Sequence, residues 1–453
     1  MASGIWTLIR VLIERGAQER SSRWTRDALV ARQAKSVAVL RRFAVARSPF
    51  YRQFHRGLES KPLEALPILT KSTMMERFDD LVTDRDVRLA DAEAHLRSAA
   101  DGPYLGRYVV LATSGSTGRR GIFLFSDREW IRAIAAITRP IGWTTRTRRN
   151  RRPPRAALIA AGAPWHYSAR VGAALANRIA PALRLDAATP LPDLVAQLND
   201  WQPEALATYP SVLRQLAAEQ LSGRLSIPLA NIATSAEVLT ADVRAAVRRA
   251  WSIEIQDTYG ATEYAPIASE CAEGRKHLFE NGAVIEAVDE RGRRVPDGER
   301  GARLLLTVFG RYTQPLIRYE LSDMVRIVDQ SCPCGRPYRI LTAVEGREED
   351  ILEFAGARGQ RVAVHPNRFH DALERAAVAA WQIEQIPSGL VVRLVGADPL
   401  TAAAVEADIR SLLAREGIDD LRIEVQRVPK IERGASGKAP LIVARHTSPG
   451  MAL

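Results

Sequence analysis

The sequence of 453 residues is poor in cysteine, histidine and aromatic residues. It holds three cysteines, seven histidines and 6% aromatic residues. Three cysteines are too few, and odd in number, for the disulfide framework of a small secreted protein, so we expect a reducing, cytoplasmic environment. The histidines are scattered, and none is paired convincingly with a serine or cysteine nucleophile, which disfavours a hydrolase.

Long apolar runs are missing as well. The stretch from Ile5 to Ile13 is interrupted by Arg10 and followed by Glu14 and Arg15, far short of the roughly 20 apolar residues that a membrane-spanning helix needs. It also lacks the small-residue cleavage pattern of a signal peptide. We therefore expect no transmembrane segment, and we interpret this stretch as an amphipathic helix docked on the protein.

Positive charge is what the sequence has in excess. The net charge is +12, although the 46% of hydrophobic and 26% of charged residues are ordinary for a globular enzyme. A basic chain suits nucleic acid, an anionic membrane surface or anionic small substrates. The densest basic run, residues 146–155, contains Pro153 and Pro154 and is interpreted as a solvated loop, which also suits contact with an acidic carrier protein or a membrane.

The order of apolar segments predicts an α/β fold with two domains. Residues 1–100 have a mostly helical pattern, and from Tyr108 onward short apolar strands alternate with helices, which is typical of a largely parallel sheet covered by helices. Near Val344 the pattern restarts. We predict a large N-terminal domain over residues 1–344 and a small, mobile α+β domain over residues 345–453, with a hinge near residues 346–350.

The sharpest motif is the run TSGSTGRRG over residues 113–121. Its glycines let the backbone approach a ligand, its hydroxyls and amides donate hydrogen bonds to phosphate oxygens, and its arginines supply compensating charge. The run does not match the Walker pattern, and composition alone leaves a plain hairpin turn open. The predicted phosphate-binding residues are Thr113, Ser114, Gly115, Ser116, Thr117 and Gly118.

The same run has the form of the phosphate-binding loop of acyl-adenylate-forming enzymes, the superfamily of acyl-CoA synthetases and peptide-synthetase adenylation domains. Four further segments resemble its other motifs in the expected order. They are residues 257–263 (DTYGATE, adenine and magnesium), 318–323 (RYELSD, ribose), 346–350 (GREED, hinge) and 436–439 (SGKA, catalytic lysine). The chain is similar to the phenylacetate-CoA ligase branch, including capsule-biosynthesis-type relatives, through residues 48–51, 66–71 and 332–336.

The resemblance implies roles for individual residues at the nucleotide. Tyr259 would offer a flat face to adenine, Thr262 a hydrogen bond to the α-phosphate, and Glu263 a carboxylate ligand to Mg²⁺. Asp323 would accept hydrogen bonds from both ribose hydroxyls. The remaining predicted nucleotide-binding residues are Ser235, Glu237, Asp257 and Gly260.

The predicted catalytic residues are Thr262, Arg347 and Lys438, and no covalent nucleophile is required. Arg347 and Lys438 would place positive charge where the attacking carboxylate and the α-phosphate develop negative charge. The chain departs from its relatives at two places. Glu349 stands where the hinge more usually has aspartate or lysine, and arginines replace the lysine that many relatives carry after the phosphate loop.

A second constellation involves all three cysteines. Cys332 and Cys334 are close enough in sequence to chelate one ion, and Cys271 with His277 would complete a Cys₃His tetrahedral set. Buried free cysteines are the alternative. Resemblance to metal-containing members of the branch favours zinc, in a structural role because no coordination position would remain open for water.

The acid-binding pocket is predicted from position in the sheet. Trp165, His166, Tyr209 and Ala236 fall after or within predicted strands, at the carboxyl ends where parallel sheets place ligands. Core aromatic residues and turn residues are the alternative for the same positions.

Together the motifs predict an AMP-forming acid-thiol ligase that uses ATP, Mg²⁺ and CoA and carries structural Zn²⁺. We expect an aryl, phenylacetate-like acid as substrate, with a homodimer left open. The alternative is a ligase of the same fold that passes the acyl group to an amine or a carrier protein in natural-product or cell-surface biosynthesis. A non-catalytic nucleic-acid-binding protein is a third hypothesis, and the presence of Glu263 and Lys438 disfavours it.

Overall fold

The computed structural model describes residues 4–98, 102–113, 120–144, 154–175, 182–347, 352–356, 360–364, 369, 373, 376, 378, 380–432 and 441–444. The predicted phosphate-loop residues Ser114 to Gly118 and the predicted catalytic Lys438 lie outside these ranges. The same holds for most of the basic run and for hinge residues 348–350.

The described helices are spread along the whole chain. They are α1 (Gly4–Glu19), α2 (Arg26–Arg47), α3 (Pro49–Phe54), α4 (Lys71–Glu76), α5 (Phe78–Leu81), α6 (Leu89–Arg97), α7 (Asp127–Thr138), α8 (Ile141–Thr144), α9 (Tyr167–Leu175), α10 (Leu191–Trp201), α11 (Pro210–Leu221), α12 (Ala241–Trp251) and α13 (Pro399–Arg415), with short 3₁₀ turns at Arg20–Arg23 and Leu63–Ala65. None of these helices is both long enough and apolar enough to cross a membrane.

The described strands begin after the first six helices. They are β1 (Tyr108–Ala112), β2 (Ile122–Ser126), β3 (Ala156–Ala160), β4 (Ala182–Asp186), β5 (Ala205–Thr208), β6 (Asn231–Ser235), β7 (Ile255–Tyr259), β8 (Ala268–Glu270), β9 (Lys276–Leu278), β10 (Ala283–Val288), β11 (Arg300–Gly301), β12 (Arg303–Val308), β13 (Tyr319–Leu321), β14 (Asp323–Val328), β15 (Ile340–Arg347), β16 (Leu352–Ala355), β17 (Arg361–Val364), β18 (Ala380–Ile386), β19 (Gly389–Val395), β20 (Arg422–Val428) and β21 (Ile442–Val443).

Side-chain caps begin several of the N-terminal helices. The hydroxyl of Thr25 accepts from the backbone N–H of Ala28 at the start of α2. Thr70 caps α4 in the same way, through the N–H of Thr73. Each cap satisfies a backbone donor that has no partner inside its helix, which is why these helices begin where they do.

Ten described strands form the large sheet, in the order β11-β14-β15-β9-β8-β7-β6-β5-β3-β4. The pairs from β4 to β7 are parallel, and those from β7 to β11 are antiparallel. The predicted α/β class is confirmed, but the sheet is parallel in one half only. Helices connect the strands of the parallel half, whereas short turns connect β7 to β9 and permit only antiparallel pairing.

The first two strands stand apart from the large sheet. β1 and β2 pair antiparallel with each other, with Ala112 opposite Ile122. A separate antiparallel sheet has the order β10-β12-β13, and Leu69 forms a bridge to Tyr319 on β13. One hydrophobic core joins these strands to the N-terminal helices, while a second core fills the parallel half of the large sheet.

The described residues after 351 have a hydrophobic core of their own. β16 pairs with β17, and four further strands form a sheet in the order β20-β19-β18-β21. The buried members of this core all lie between Leu352 and Ile442, and Trp381 is among the largest of them. This part of the chain is an α+β unit, in agreement with the predicted fold class.

Candidate functional site

The predicted phosphate loop begins and ends at a hydrogen-bonded pair of residues, Thr113 and Gly121, which we call the neck of the loop. The N–H of Thr113 donates to the carbonyl of Gly121 at 3.0 Å, and the N–H of Gly121 donates to the Thr113 hydroxyl at 2.9 Å. These bonds continue the strand pairing one step beyond Ala112 and Ile122. The folding of β1 and β2 therefore fixes where the loop begins and ends.

Two cationic side chains lie at this neck. A Cβ added to Gly121 would lie 3.3 Å from Cε of Lys71 and 2.9 Å from the Phe123 ring, so a glycine is needed for these groups to approach. Arg120 stacks over the Trp165 ring at 5.6 Å. Positive charge is thus placed where the loop meets the body of the protein, as phosphate binding requires.

Sequence reasoning missed Lys71 as a member of the site. In the sequence, Lys71 stands out only as the last residue of the run over residues 66–71, and nothing in that run indicates phosphate binding. Its placement depends on Leu69, whose N–H donates to Arg318 and whose carbonyl accepts from Glu320, both at 3.0 Å. The run is therefore held against the predicted ribose motif.

The predicted adenine and magnesium motif follows β7 in a tight turn. Ala261 and Tyr264 exchange backbone hydrogen bonds at 3.1 and 3.2 Å, with half-buried Thr262 between them. Glu263 is only 5% exposed, and its carboxylate accepts from the Tyr319 hydroxyl at 3.1 Å. Because Tyr319 belongs to the predicted ribose motif, the structure brings together two motifs that lie far apart in the sequence.

Other residues of these motifs are placed at the ends of strands. Tyr259 is the last residue of β7, half-buried, and Gly260 follows it exposed. Asp323 is the first residue of β14, and its backbone lies directly opposite that of Arg347 on β15. The predicted ribose aspartate and the predicted hinge arginine are thus neighbours across the strand pair, with Arg347 described at its backbone only.

Asp257 faces a different environment from the rest of its motif. Its carboxylate accepts from the Thr234 hydroxyl at 2.9 Å and pairs with Lys276 at 2.5 Å. The side chain is 5% exposed, so it stabilises the junction of β6, β7 and β9. Its predicted contact with the nucleotide stays a prediction.

Ser235 is the last residue of β6, and Ala236 and Glu237 follow it, with Ala236 in the left-handed region at φ +72°. This conformation costs a residue with a Cβ roughly 1 kcal/mol. Glu237 accepts from the Ser211 N–H at 2.9 Å and from its hydroxyl at 3.1 Å. The carboxylate therefore caps the start of α11, where a negative charge is favourable.

The predicted acid-pocket residues are only partly brought together. The Trp165 carbonyl accepts from the Ala112 N–H at 3.1 Å, beside the neck of the loop, and the His166 ring lies 6.2 Å from the Trp165 ring. Tyr209 is buried in the core of the parallel half. Its hydroxyl accepts from the Ala161 N–H at 2.9 Å, and burial raises the pKa of the phenol; its place in the acid pocket stays a prediction.

The four predicted zinc ligands converge. One ligand atom from each of Cys271, His277, Cys332 and Cys334 lies within 4.8 Å of all the others. The sulfurs of Cys271 and Cys332 are 3.8 Å apart, and Cys334 Sγ lies 3.1 Å from His277 Nε2. A zinc tetrahedron with bonds of about 2.3 Å has ligand-to-ligand edges of about 3.8 Å.

The surroundings of the histidine suit metal binding as well. Nδ1 of His277 lies 3.1 Å from the Tyr338 carbonyl, so a proton on Nδ1 would leave Nε2 as the ligand atom. His277 is fully buried. The sulfur separation is far too long for a disulfide, and the cysteines are free thiols. The cluster therefore has the ligand types and spacing of a closed tetrahedral site.

A family model for AMP-binding enzymes matches residues 61–306, more than half of the 453 residues. The chain therefore belongs to the AMP-binding enzyme family, the acyl-adenylate-forming superfamily that its motifs resemble.

Three curated relatives share parts of the sequence. A phenylacetate-coenzyme A ligase of Thermus thermophilus is 27% identical over 247 residues, which are 49% of this chain and 54% of the relative. Protein CapK of Staphylococcus aureus is 26% identical over 35% of this chain and 34% of its own length. A fumarate–(S)-2,3-diaminopropanoate ligase of Enterobacter agglomerans is 22% identical over 81% of this chain and 86% of its length. The chain thus spans about half of the first relative and about a third of the second.

Solved structures show the shared fold. A 2-hydroxyisobutyryl-CoA ligase in the postadenylation state matches with a TM-score of 0.71 at 21% identity, covering 94% of this chain and 92% of that one. Its open conformation, in complex with 2-HIB-AMP and CoA, matches with a TM-score of 0.58 over 88% of both chains, also at 21% identity.

Proposed function

We propose that the chain is an AMP-forming ligase that activates a carboxylic acid as its acyl-adenylate and passes the acyl group to the thiol of CoA. The observation that carries the proposal is the hydrogen bond from Tyr319 to Glu263 at 3.1 Å. It joins the predicted magnesium motif to the predicted ribose motif. The run ending in Lys71 connects the same ribose motif to the neck of the phosphate loop.

The proposed adenylation requires that the reacting groups be held in position and that the developing negative charge be stabilised. The substrate carboxylate attacks the α-phosphorus of ATP, the bond to the β-phosphate oxygen breaks, and pyrophosphate leaves with the electron pair. Thr262 would hydrogen-bond the α-phosphate, while Arg347 and Lys438 would stabilise the developing negative charge. Lys71 and Arg120 would hold the outer phosphates.

The buried Glu263 carboxylate fits Mg²⁺, a hard cation that prefers oxygen ligands. When bound with ATP, this ion neutralises charge on the phosphates. Tyr319 would hold the carboxylate in place through its hydroxyl.

We further propose an aryl acid as substrate, supported by the name of the Thermus relative. The second candidate is transfer of the acyl group to an amine, because the relative that covers 81% of this chain is named as a ligase of fumarate and an amine. Either enzyme would form the adenylate at the same residues, so the two differ only in acid and acceptor.

We also propose that residues 345–453 act as a mobile domain, supported by the separate core between Leu352 and Ile442. The Cys₃His cluster is proposed to hold one structural Zn²⁺. Four protein ligands fill its tetrahedron and leave no position for water or substrate.

The test is acid-dependent exchange of labelled pyrophosphate into ATP, with no acceptor present. The panel should contain aryl, hydroxy, dicarboxylic, amino and fatty acids, and Glu263→Gln serves as the inactive control. Exchange with one acid class would support adenylation and name the substrate. If no acid supports exchange by folded protein that binds MgATP, the proposed activity is wrong.

The acceptor is then identified with the acid that gave exchange. Net AMP formation should require CoA if the enzyme is an acid-thiol ligase. AMP formation that requires an amine or a carrier protein, and not CoA, would replace the leading proposal by the second candidate.

A further inference from the structure

The outer face of α1 is apolar. Trp6, Ile9, Leu12 and Ile13 are 61, 39, 52 and 69% exposed, and we call these four residues the α1 stripe. At 100° per residue they occupy one sector of about 120°. Val11, in the opposite sector, is 2% exposed and belongs to the main core, so the helix packs on the protein through one face and leaves the stripe in solvent.

No other described helix presents so many exposed large apolar side chains. Elsewhere in the described ranges they occur one or two to an element, as with Val30 and Val39 on α2, Leu221 on α11 and Leu400 on α13. Single exposed apolar residues are ordinary, whereas a contiguous cluster marks a surface that contacts something apolar.

The charged side chains on α1, on the turn that follows it and on the first part of α7, which packs against α1, are predominantly positive. Both acidic side chains of α1, and Asp127 at the start of α7, pair with an arginine. The pairs are Arg10–Asp127 at 2.6 Å, Arg132–Glu14 at 3.4 Å and Arg139–Glu19 at 3.6 Å. Within the described part of the chain, no ion pair involves the exposed Arg20, Arg23 or Arg128, which we call the basic rim.

We propose that α1 docks the protein on the surface of a membrane that contains anionic lipid. The α1 stripe enters the boundary between headgroups and acyl chains, and the basic rim contacts the lipid phosphates. A tryptophan and aliphatic side chains on one face, with arginines beside them, are what such interfacial helices carry. The helix of 16 residues lies in the plane of the membrane and does not cross it.

Charge argues for lipid over a second copy of the chain. A two-fold dimer through the stripe would bring two basic rims together, and like charges across an interface are unfavourable. An anionic bilayer offers an apolar environment to the α1 stripe and negative charge to the basic rim at the same time. The inference uses no residue of the proposed active site and stands whether or not the enzyme proposal is correct.

The test is flotation of the full-length protein with vesicles of phosphatidylcholine alone or mixed with phosphatidylglycerol. We expect binding to the anionic vesicles, weaker binding as salt is raised, and little binding to the neutral vesicles. Trp6→Ser/Ile13→Ser should weaken binding about tenfold or more, and Arg20→Glu/Arg23→Glu should also weaken it. The control Leu221→Ser/Leu400→Ser removes two exposed apolar residues elsewhere and should bind as the native chain does.

Thermal unfolding of every variant checks that the fold is intact, which the exposure of the changed residues leads us to expect. The proposal is overturned if the native chain does not float with anionic vesicles, or if the stripe variant floats equally well. It is also overturned if sedimentation shows a dimer that the stripe variant abolishes, because the stripe would then be covered by a second copy.

Discussion

At the scale of single residues, the backbone of Ala236 offers the cleanest test of a strained position. The residue is exposed and has a φ of +72°, so a larger side chain meets no packing obstacle and acts through the backbone alone. Ala236→Val should destabilise the protein by about 1–2 kcal/mol, and Ala236→Gly should be neutral or slightly stabilising.

Urea unfolding measures both changes. Ala230→Val is the matched control, because Ala230 is also exposed but is not among the residues with positive φ. Equal effects of valine at the two positions would contradict the assignment of strain to Ala236.

Lys71 gives a second test at this scale. If its ammonium group binds the outer phosphates of ATP, Lys71→Ala should raise the KM for ATP about tenfold or more, and Lys71→Arg should restore part of the loss. The measurement is pyrophosphate exchange at varied ATP, with exposed Lys61→Ala as control. An unchanged KM in Lys71→Ala would remove Lys71 from the site.

Several single residues could be assigned from the sequence, and others could not. The convergence of His277 with the three cysteines was predicted, because few residue types bind zinc and all were present at short spacings. The structural contacts of Asp257 and Glu237 were not, because a carboxylate looks the same in sequence whether it faces a nucleotide or Lys276. Burial and partner identity are properties of the folded sheet.

At the scale of elements, long segments were predictable and short ones were not. β3 is a run of five apolar residues and α12 a helix of 11 residues, and such segments carry the apolar pattern from which alternating strands and helices were predicted. β8 and β9 have three residues each and no detectable pattern. The antiparallel half of the sheet was therefore missed, because it depends on pairing between short strands.

The Cys₃His cluster belongs to this scale because it brings together the β8–β9 hairpin and the loop between β14 and β15. Cys271 directly follows β8 and His277 lies on β9, whereas Cys332 and Cys334 belong to the loop between β14 and β15. Asp323 lies at the far end of β14, six residues long, or about 20 Å at 3.3 Å per residue. A zinc ion here would stabilise the sheet without touching the nucleotide.

We therefore expect one zinc per chain by elemental analysis, and removal by a strong chelator should lower the melting temperature by several degrees. Cys332→Ser should do the same, by about 2–5 kcal/mol of unfolding free energy if the ligand set is broken. Ser331→Ala, beside the cluster but not a ligand, is the matched control. Protein that is fully stable without any metal would contradict the zinc assignment.

At the scale of the whole molecule, the proposed chemistry uses residues from two parts of the chain, each with its own hydrophobic core. The predicted nucleotide residues from Thr113 to Asp323 lie before residue 345, whereas Lys438 follows β20 in the part of the chain with its own core. The restart of the sequence pattern near Val344 predicted a second domain from residue 345, and that boundary stays a prediction. The hinge is predicted near residues 346–350, of which residues 348–350 lie outside the described ranges.

Loss of Lys438 should therefore slow the adenylation step and leave the fold and the binding of MgATP intact. Lys438→Ala should lower acid-dependent pyrophosphate exchange about 100-fold or more, since one positive charge is removed from the transition state. The melting temperature and the affinity for MgATP should stay close to native values, because the predicted ATP-binding residues of the large unit are untouched. Lys430→Ala is the control, as Lys430 lies on the same part of the chain but pairs with Glu432 at 3.4 Å and should leave exchange unchanged. Exchange at the native rate in Lys438→Ala would show that the second core does not deliver the catalytic lysine.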